Sequence, residues 1–389
     1  MDETEIAIIG AGPAGLQSAI TAAKQGFQPV VFEEHREIGR PIQCGEGMSL
    51  NAFRDFSIPT KNNDFCVREH KICQLVFPSD KILYGDIHAF MIRRDKFDQF
   101  LANKAEEAGA KIIRNAKVVG VKRDLETINL KTNEHMKNTY KTNFLILAEG
   151  PRAHIANQLK FPSSPLIKAF EYKIEGQWGE NLEFYFNADK YPYGYCWIFP
   201  RENETNVGIV TTAKQMKTRL DYFLRKKKIK GKIIEKVGGV IPMRGAKETI
   251  MKDNIALVGD TAGMVNPIFY GGIRIGMISG RVAGQVSSEY LKAKQEKKEY
   301  SNEQYHEYLK EYQFMKTVNL ECHDFFYSRS NSYLSKIGKA FDEKSINEIT
   351  GLEKLKVFGN ILKNPSLLKH PKGLMQIYQG FKIARDWGF

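Results

Sequence analysis

An apolar run at residues 5–9 stops at a Gly-x-Gly-x-x-Gly turn made by Gly10, Gly12 and Gly15. It resumes as an alanine-rich stretch and a second apolar run that closes on Glu33. A strand, a tight turn, a helix and a second strand satisfy that pattern. Gly10 permits the turn, Gly12 lets the main chain approach a pyrophosphate, and Gly15 lets the helix lie close against the strand. The unpaired N–H groups at the helix start and its dipole favour an anion there. Glu33 is placed to accept a hydrogen bond from a ribose hydroxyl, so the bound group should be an unphosphorylated adenosine ribose. By itself the fingerprint does not separate FAD from NAD.

With 389 residues the chain exceeds the size at which one core keeps growing, so two connected domains are expected. A formal net charge of +13 favours acidic partners. The densest basic cluster, RKKKIKGK at 225–232, reads first as a solvated loop or helix end. No aromatic residue interleaves it and no nucleic-acid motif accompanies it, which ranks an anionic membrane surface above nucleic acid. No nucleic-acid partner is therefore expected. The first strand begins within a few residues of Met1, and no run approaches the roughly 18 apolar residues needed to cross a bilayer. The expectation is a cytoplasmic protein, peripheral on the inner face of the cell membrane. Five cysteines, an odd number, argue for a reducing compartment. Cys66, His70 and Cys73 match no zinc spacing, and no metal is expected.

Apolar runs at 111–123 and 142–150 belong with the opening unit. Residues 161–250 are rich in strand formers and aromatics and read as an antiparallel sheet, the substrate domain. The strand–turn–helix pattern then returns, so the nucleotide domain is discontinuous. The boundaries expected are 1–70, 101–160 and 251–295 for its three parts, 71–100 for an insertion and linking helix, and 296–389 for a helical C-terminal region.

In the third part, IALVGD ends a buried strand on Gly259 and Asp260, where a carboxylate can bind a ribityl or ribose hydroxyl. Gly271 and Gly272 before Ile273 open a long helix whose N–H groups would face a second electron-rich group, such as a flavin pyrimidine edge. One fingerprint and two distant segments converging on one extended ligand suit FAD.

Four motifs then carry a resemblance: PIQCGEGMS (41–49), IRRDKFDQFLA (92–102), YCWIFP (195–200) followed after seven residues by Gly208, and ALVGDTAGMVNPIFYGGI (256–273). Together, with GGVIPM (238–243) as a smaller match, they make residues 1–290 similar to the FAD-dependent geranylgeranyl reductase family, most like its archaeal members acting on digeranylgeranylglycerophospholipids. The resemblance implies an α/β fold: a Rossmann-like FAD-binding domain of the aromatic-hydroxylase/geranylgeranyl-reductase type, an antiparallel β-sheet substrate domain and a helical C-terminal region. By matching position it implies FAD contacts from Ala14, Gly15, Glu33, Cys44, Gly45, Gly47, Arg94, Val118, Asp260, Gly272 and Ile273. It also implies a lipid channel lined by Tyr195, Trp197, Phe199 and Pro200. Tyr270 stands where the family usually has glycine and would narrow the space over the flavin. Arg274 stands where a small residue is common and could meet a phosphate.

The activity implied is reduction of isoprenoid C=C bonds in geranylgeranyl chains of membrane lipids or their precursors, with hydride from reduced flavin and a proton donor. Cys44, between glycines and a carboxylate, is a candidate donor or redox partner, and Glu46 a candidate that tunes it or relays the proton. Arg94 could reach FAD oxygens, or pair with Asp98 one helical turn on. A flavin monooxygenase or halogenase acting on an aromatic substrate is the alternative enzyme, and rapid oxygen consumption would mark it. A non-redox prenyl-lipid carrier is the third reading, and a flavin-free preparation that binds prenyl chains would mark that. The electron donor stays open among NADPH, a deazaflavin and ferredoxin, since no second dinucleotide fingerprint appears.

Overall fold

The structure is a computed structural model that describes residues 2–124, 127–133, 139–341, 344–345, 357 and 359–387. The opening segment forms the strand Asp2–Ile9, the helix Pro13–Lys24 and the strand Val30–Phe32. The first sheet runs in the order Met251–Lys252, Ile255–Leu257, Thr139–Leu147, Asp2–Ile9, Val30–Phe32, Lys111–Ile113. Asp2–Ile9 is parallel to both neighbours, with Ile8 opposite Val31 on one side and Ile146 on the other. Such a strand is covered on both faces, which is why Ile6, Ala7 and Ile8 run consecutively without a polar residue and are all buried. The helix Ile273–Gln295 returns from the third segment and packs along Pro13–Lys24. Sequence order places Asp2–Ile9 between strands reached by crossovers in opposite directions, so the crevice opens at the carboxyl ends of these strands.

The second sheet runs Ile233–Pro242, Leu166–Glu175, Glu204–Thr211, Tyr195–Pro200, Leu182–Phe186, Cys66–Val76, Ile82–Ile92, Lys344–Ser345, with Gly47–Ser49 also pairing to Ile82–Ile92. It is antiparallel apart from Leu182–Phe186 against Cys66–Val76 and Lys344–Ser345 against Ile82–Ile92. Residues 47–49 and 66–70, grouped with the nucleotide domain on sequence, pair into this sheet. Strand pairing of short segments is set by partners far along the chain, and local pattern does not carry it.

Alternation along Tyr195–Pro200 divides the sheet's two faces. Cys196 and Ile198 join Tyr172, Val207 and Ile209 under the helix Met216–Lys226, through its Leu220 and Phe223. Tyr195 and Trp197 join Phe184, Phe186 and Val210 on the opposite face, toward the C-terminal helices Lys310–Tyr327 and Pro371–Trp387. Those helices bury Phe326, Ile377 and Phe381 against Ile268 and Phe269. Tyr327 donates its hydroxyl to the Ile268 carbonyl at 2.7 Å. The tail thereby clamps the loop that precedes the helix Ile273–Gln295.

Candidate active site

A cleft of about 450 Å³ lies at the crevice, lined among others by Gly10, Gly12, Glu33, Arg94, Val118 and Gly150. Gly10 takes φ +103°, and a Cβ on Gly15 would stand 2.0 Å from the Gly10 carbonyl oxygen, so strand end and helix start touch backbone to backbone. At Gly12 the place of a Cβ has nothing within 4 Å. That gap, beside the first-turn N–H groups, fits a pyrophosphate. Glu33 accepts from the main-chain N–H groups of Ala11 and His35, each at 2.9 Å, and its Oε1 lies 2.7 Å from His35 Nδ1. A carboxylate has about four lone-pair directions, so this anchoring leaves capacity for ribose hydroxyls. Ala14 faces protein: its Cβ lies 2.9 Å from where Gly259 would carry one.

Arg94 donates through Nε and Nη2 to both carboxylate oxygens of Asp98, at 2.8 Å each. The ion pair weighed against a cofactor role therefore forms, and it holds the guanidinium on the lining of the cleft. Gly259 donates its N–H to the Ser279 hydroxyl at 2.9 Å. Beside it, burial pushes the Asp260 carboxyl up to about 6, with Arg94 opposing. A carboxylate so desolvated is satisfied by hydroxyl donors, which a ribityl chain would supply.

A second, more apolar cavity of about 130 Å³ adjoins the first, and Gln43 and Val240 line both. Cys44, Gly45 and Gly47 form one wall, and Tyr270, Gly271, Gly272 and Ile273 another. Its floor is Tyr195, Trp197 and Phe199. Two clefts sharing a wall give one extended ligand a path from Glu33 to the start of the helix Ile273–Gln295. Tyr195 donates its hydroxyl to the Phe269 carbonyl, and Tyr270 donates to the Tyr193 carbonyl at 2.7 Å. Their rings stack at 6.2 Å between centroids. Both phenols are thus occupied, and burial raises both well out of the range where they ionise. The Cys44 sulfur accepts the Glu46 N–H at 3.2 Å, and burial raises its thiol too, with Arg94 opposing.

Glu46 sits in a left-handed conformation, φ 63°. Its carboxylate takes the Arg94 N–H at 2.9 Å, Arg201 Nη1 at 2.6 Å and Lys173 Nζ at 3.0 Å. Sequence reading made Glu46 a partner of Cys44 in proton transfer. Three donors instead fix the carboxylate as the anchor of a buried ion cluster, because two buried cations from different segments of the chain, Lys173 and Arg201, need it. On the far side of the cluster opens a polar cleft lined by Arg40, Asp95, Glu175 and Glu235.

The cavity also contains a carboxyl that sequence reading missed. Trp197 Nε1 donates to Glu171 Oε2 at 3.1 Å. Strand register explains the reach: Glu171 and Trp197 are both paired with Gly208, from the strands on either side of it. A Cβ at Gly208 would stand 2.1 Å from the Trp197 ring, so the indole lies across that glycine to the next strand. Glu171 is 2% exposed, and its other oxygen, Oε1, is buried with no hydrogen-bond partner. Burial first, and then the Glu46 charge, push its carboxyl up to about 8, while Lys173 opposes. In LIKAFEYKIE the apolar alternation picks Phe170, Tyr172 and Ile174 as the buried face and leaves Glu171 and Lys173 for solvent. The strand is covered on both sides, which a period-two pattern does not signal.

Pro200 and Arg274 are outside both linings. The Pro200 carbonyl is hydrogen-bonded by His70 Nε2 at 2.8 Å, and Arg274 pairs with Asp55 at 2.7 Å. Arg274 is thereby directed away from the cavity. Among the described residues no group of His, Cys, Asp and Glu is arranged to hold a metal.

A model of the geranylgeranyl reductase catalytic domain matches residues 168–241, and one of pyridine nucleotide-disulphide oxidoreductases matches residues 7–178. The digeranylgeranylglycerophospholipid reductase of Methanococcus vannielii is 30% identical over 95% of this chain and 98% of its own length. That of Methanocaldococcus jannaschii is 30% identical over 96% and 99%. The chain belongs to the digeranylgeranylglycerophospholipid reductase family. A solved geranylgeranyl bacteriochlorophyll reductase-like protein from Thermoplasma acidophilum superposes with a TM-score of 0.84 at 26% identity, covering 96% of this chain and 100% of that one. A flavin-dependent brominase reaches a TM-score of 0.73 at 16% identity, a likeness of fold alone. The stretch matched as the geranylgeranyl reductase catalytic domain contains Glu171, Trp197 and Gly208 of this digeranylgeranylglycerophospholipid reductase family member, and the other match contains the nucleotide cleft's Gly10, Gly12 and Glu33.

Proposed function

We propose that this chain is an FAD-dependent oxidoreductase that reduces isoprenoid C=C bonds in the geranylgeranyl chains of archaeal-type membrane lipids or their precursors. The observation that carries the reading is the aromatic cavity sharing its wall with the dinucleotide cleft. Glu33, the Gly10–Gly15 turn and Arg94 would hold the adenosine and pyrophosphate, and Asp260 the ribityl chain. Cys44, Gly45, Gly47, Gly271, Gly272 and Ile273 would border the ring system. Bound FAD supplies hydride chemistry that no side chain provides. The protein's part is to exclude water and to present Tyr195, Trp197, Phe199 and Tyr270 as π faces to a prenyl chain, stabilising cationic character at the alkene.

The deciding experiment is mass spectrometry of a geranylgeranylated glycerophospholipid after anaerobic incubation with the dithionite-reduced holoprotein, which bypasses the unidentified donor. A gain of about 2 Da per bond is expected from hydride plus proton. Flavin that reduces and reoxidises normally beside an unchanged lipid mass would reject the substrate.

Membrane contact is peripheral in this reading: among the described residues no helix is long and apolar enough to cross a bilayer. The basic cluster ends the helix Met216–Lys226 and runs into Ile233 and Ile234, 40% and 55% exposed. Cations beside exposed aliphatics suit an anionic lipid surface. Cosedimentation with vesicles containing anionic lipid should fall steeply with added salt, and equal binding to zwitterionic vesicles would reject the electrostatic contact.

A further inference from the structure

We propose that Glu171 is the acid that protonates the alkene, held against the cavity by Trp197 lying over Gly208. The inference rests on the reductase reading above and names the proton donor that reading requires.

An isoprenoid double bond has no carbonyl to take charge as hydride arrives, so one carbon must receive a proton while the other receives hydride. The balance closes with groups already named. The π bond breaks and its electron pair takes the Glu171 proton at the less substituted carbon. Hydride from reduced flavin fills the more substituted carbon, where cationic character is best supported. The flavin leaves oxidised, Glu171 leaves as a carboxylate, and water returns its proton once the product departs.

Four observations single out Glu171. It lines the same cavity as the aromatic floor and the Gly45–Gly47 loop. It is buried, and its Oε1 has no hydrogen-bond partner while Oε2 is held by Trp197. The charged groups facing it are balanced: Glu46 from the loop keeps the proton on, while Lys173 on its own strand and Arg201 beyond the adjoining one stabilise the carboxylate left behind. Neighbouring strands add no competing charge, since Gly208 and Val237 are the residues paired with it. The rival acids are less suited. Tyr195 and Tyr270 donate to main-chain carbonyls. The Cys44 thiol, ordinarily at 9.0, is raised further by burial, whereas the Glu171 carboxyl sits at about 8 and gives up its proton more readily.

The test is a single-turnover reduction of the geranylgeranylated lipid by dithionite-reduced holoprotein across pH, for the wild type, Glu171→Gln, Glu171→Asp and Cys44→Ser. Flavin absorbance and Tm identify the folded, loaded samples. Glu171→Gln should slow the reduction about 10²–10⁴-fold, the usual worth of a positioned acid. The wild-type rate should fall as pH rises through about 8. Glu171→Asp should recover that alkaline limb, and the residual rate of Glu171→Gln should lack it. Infrared spectroscopy of the oxidised protein, without lipid, should show a protonated-carboxyl band at neutral pH that Glu171→Gln removes.

Glu171→Gln reducing lipid at the wild-type rate, or the absence of that band, overturns the proposal and leaves the reductase reading intact. An alkaline limb that disappears in Cys44→Ser but persists in Glu171→Gln assigns the proton to Cys44 and also overturns it. Wild-type protein whose flavin cycles while the lipid stays unchanged overturns the substrate reading, and this proposal with it.

Discussion

Glu46→Gln is expected to destabilise the protein by roughly 3–5 kcal/mol, the cost of leaving buried charges without their partner. The isosteric amide keeps the shape of the loop and can still accept the Arg94 N–H. It removes the negative charge that faces Arg201 at 2.6 Å and Lys173 at 3.0 Å. Those side chains are 3% and 7% exposed, so water cannot replace what is lost. Urea unfolding of the holoprotein reads the effect as a lower midpoint at unchanged slope. Glu235→Gln is the control: Glu235 pairs with the same Lys173 at 3.0 Å but is 37% exposed, and should cost about 1 kcal/mol or less. Equal costs for the two variants would show that the cluster is hydrated.

Glu171→Gln is expected to stabilise the protein at alkaline pH, by an amount on the order of a few kcal/mol. The folded carboxyl titrates at about 8 against an ordinary value of 4.5. Below 4.5 both folded and unfolded chains hold the proton, and the group contributes nothing to pH dependence. Between 4.5 and 8 the folded chain keeps a proton that the unfolded chain has released, so stability falls as pH rises across that window. Above it the loss is complete. Glutamine does not titrate, so the stability difference between variant and wild type should grow from acid to alkaline pH and then level off. Unfolding midpoints measured from acid to mildly alkaline pH decide this, and a difference independent of pH would place the carboxyl at its ordinary value. A residue that weakens the fold across that window is explained by what it does in the cavity.

The nucleotide unit was legible because its evidence is local. Gly10, Gly12, Gly15 and Glu33 lie within one strand–helix–strand, where Gly15 closes on the Gly10 carbonyl and Glu33 accepts the Ala11 N–H, although Gly10 also abuts the distant Ala148 carbonyl. Likewise Tyr195, Trp197 and Phe199 share a face because alternation along one strand puts them there. Glu171 was illegible because its environment is assembled from four distant pieces: its own strand, the indole of Trp197, the bare Gly208 and the Glu46 loop. Arg274 misled for the converse reason. Its position after Gly-Gly-Ile is near the cavity in sequence, but at the second position of the helix Ile273–Gln295 the side chain turns to Asp55. The tail gave no signal, since its aromatic residues are ordinary helix filler until Phe326 and Phe381 are seen against Phe269.

Gln43 and Val240 line both clefts, so the two stand as successive reaches of one site. Gln43 belongs to the loop that carries Cys44, and Val240 to the edge strand Ile233–Pro242. A flavin ring reaching past them would itself become part of the chamber's wall, so an inhibitor screened against flavin-free protein would be selected for a chamber of the wrong shape.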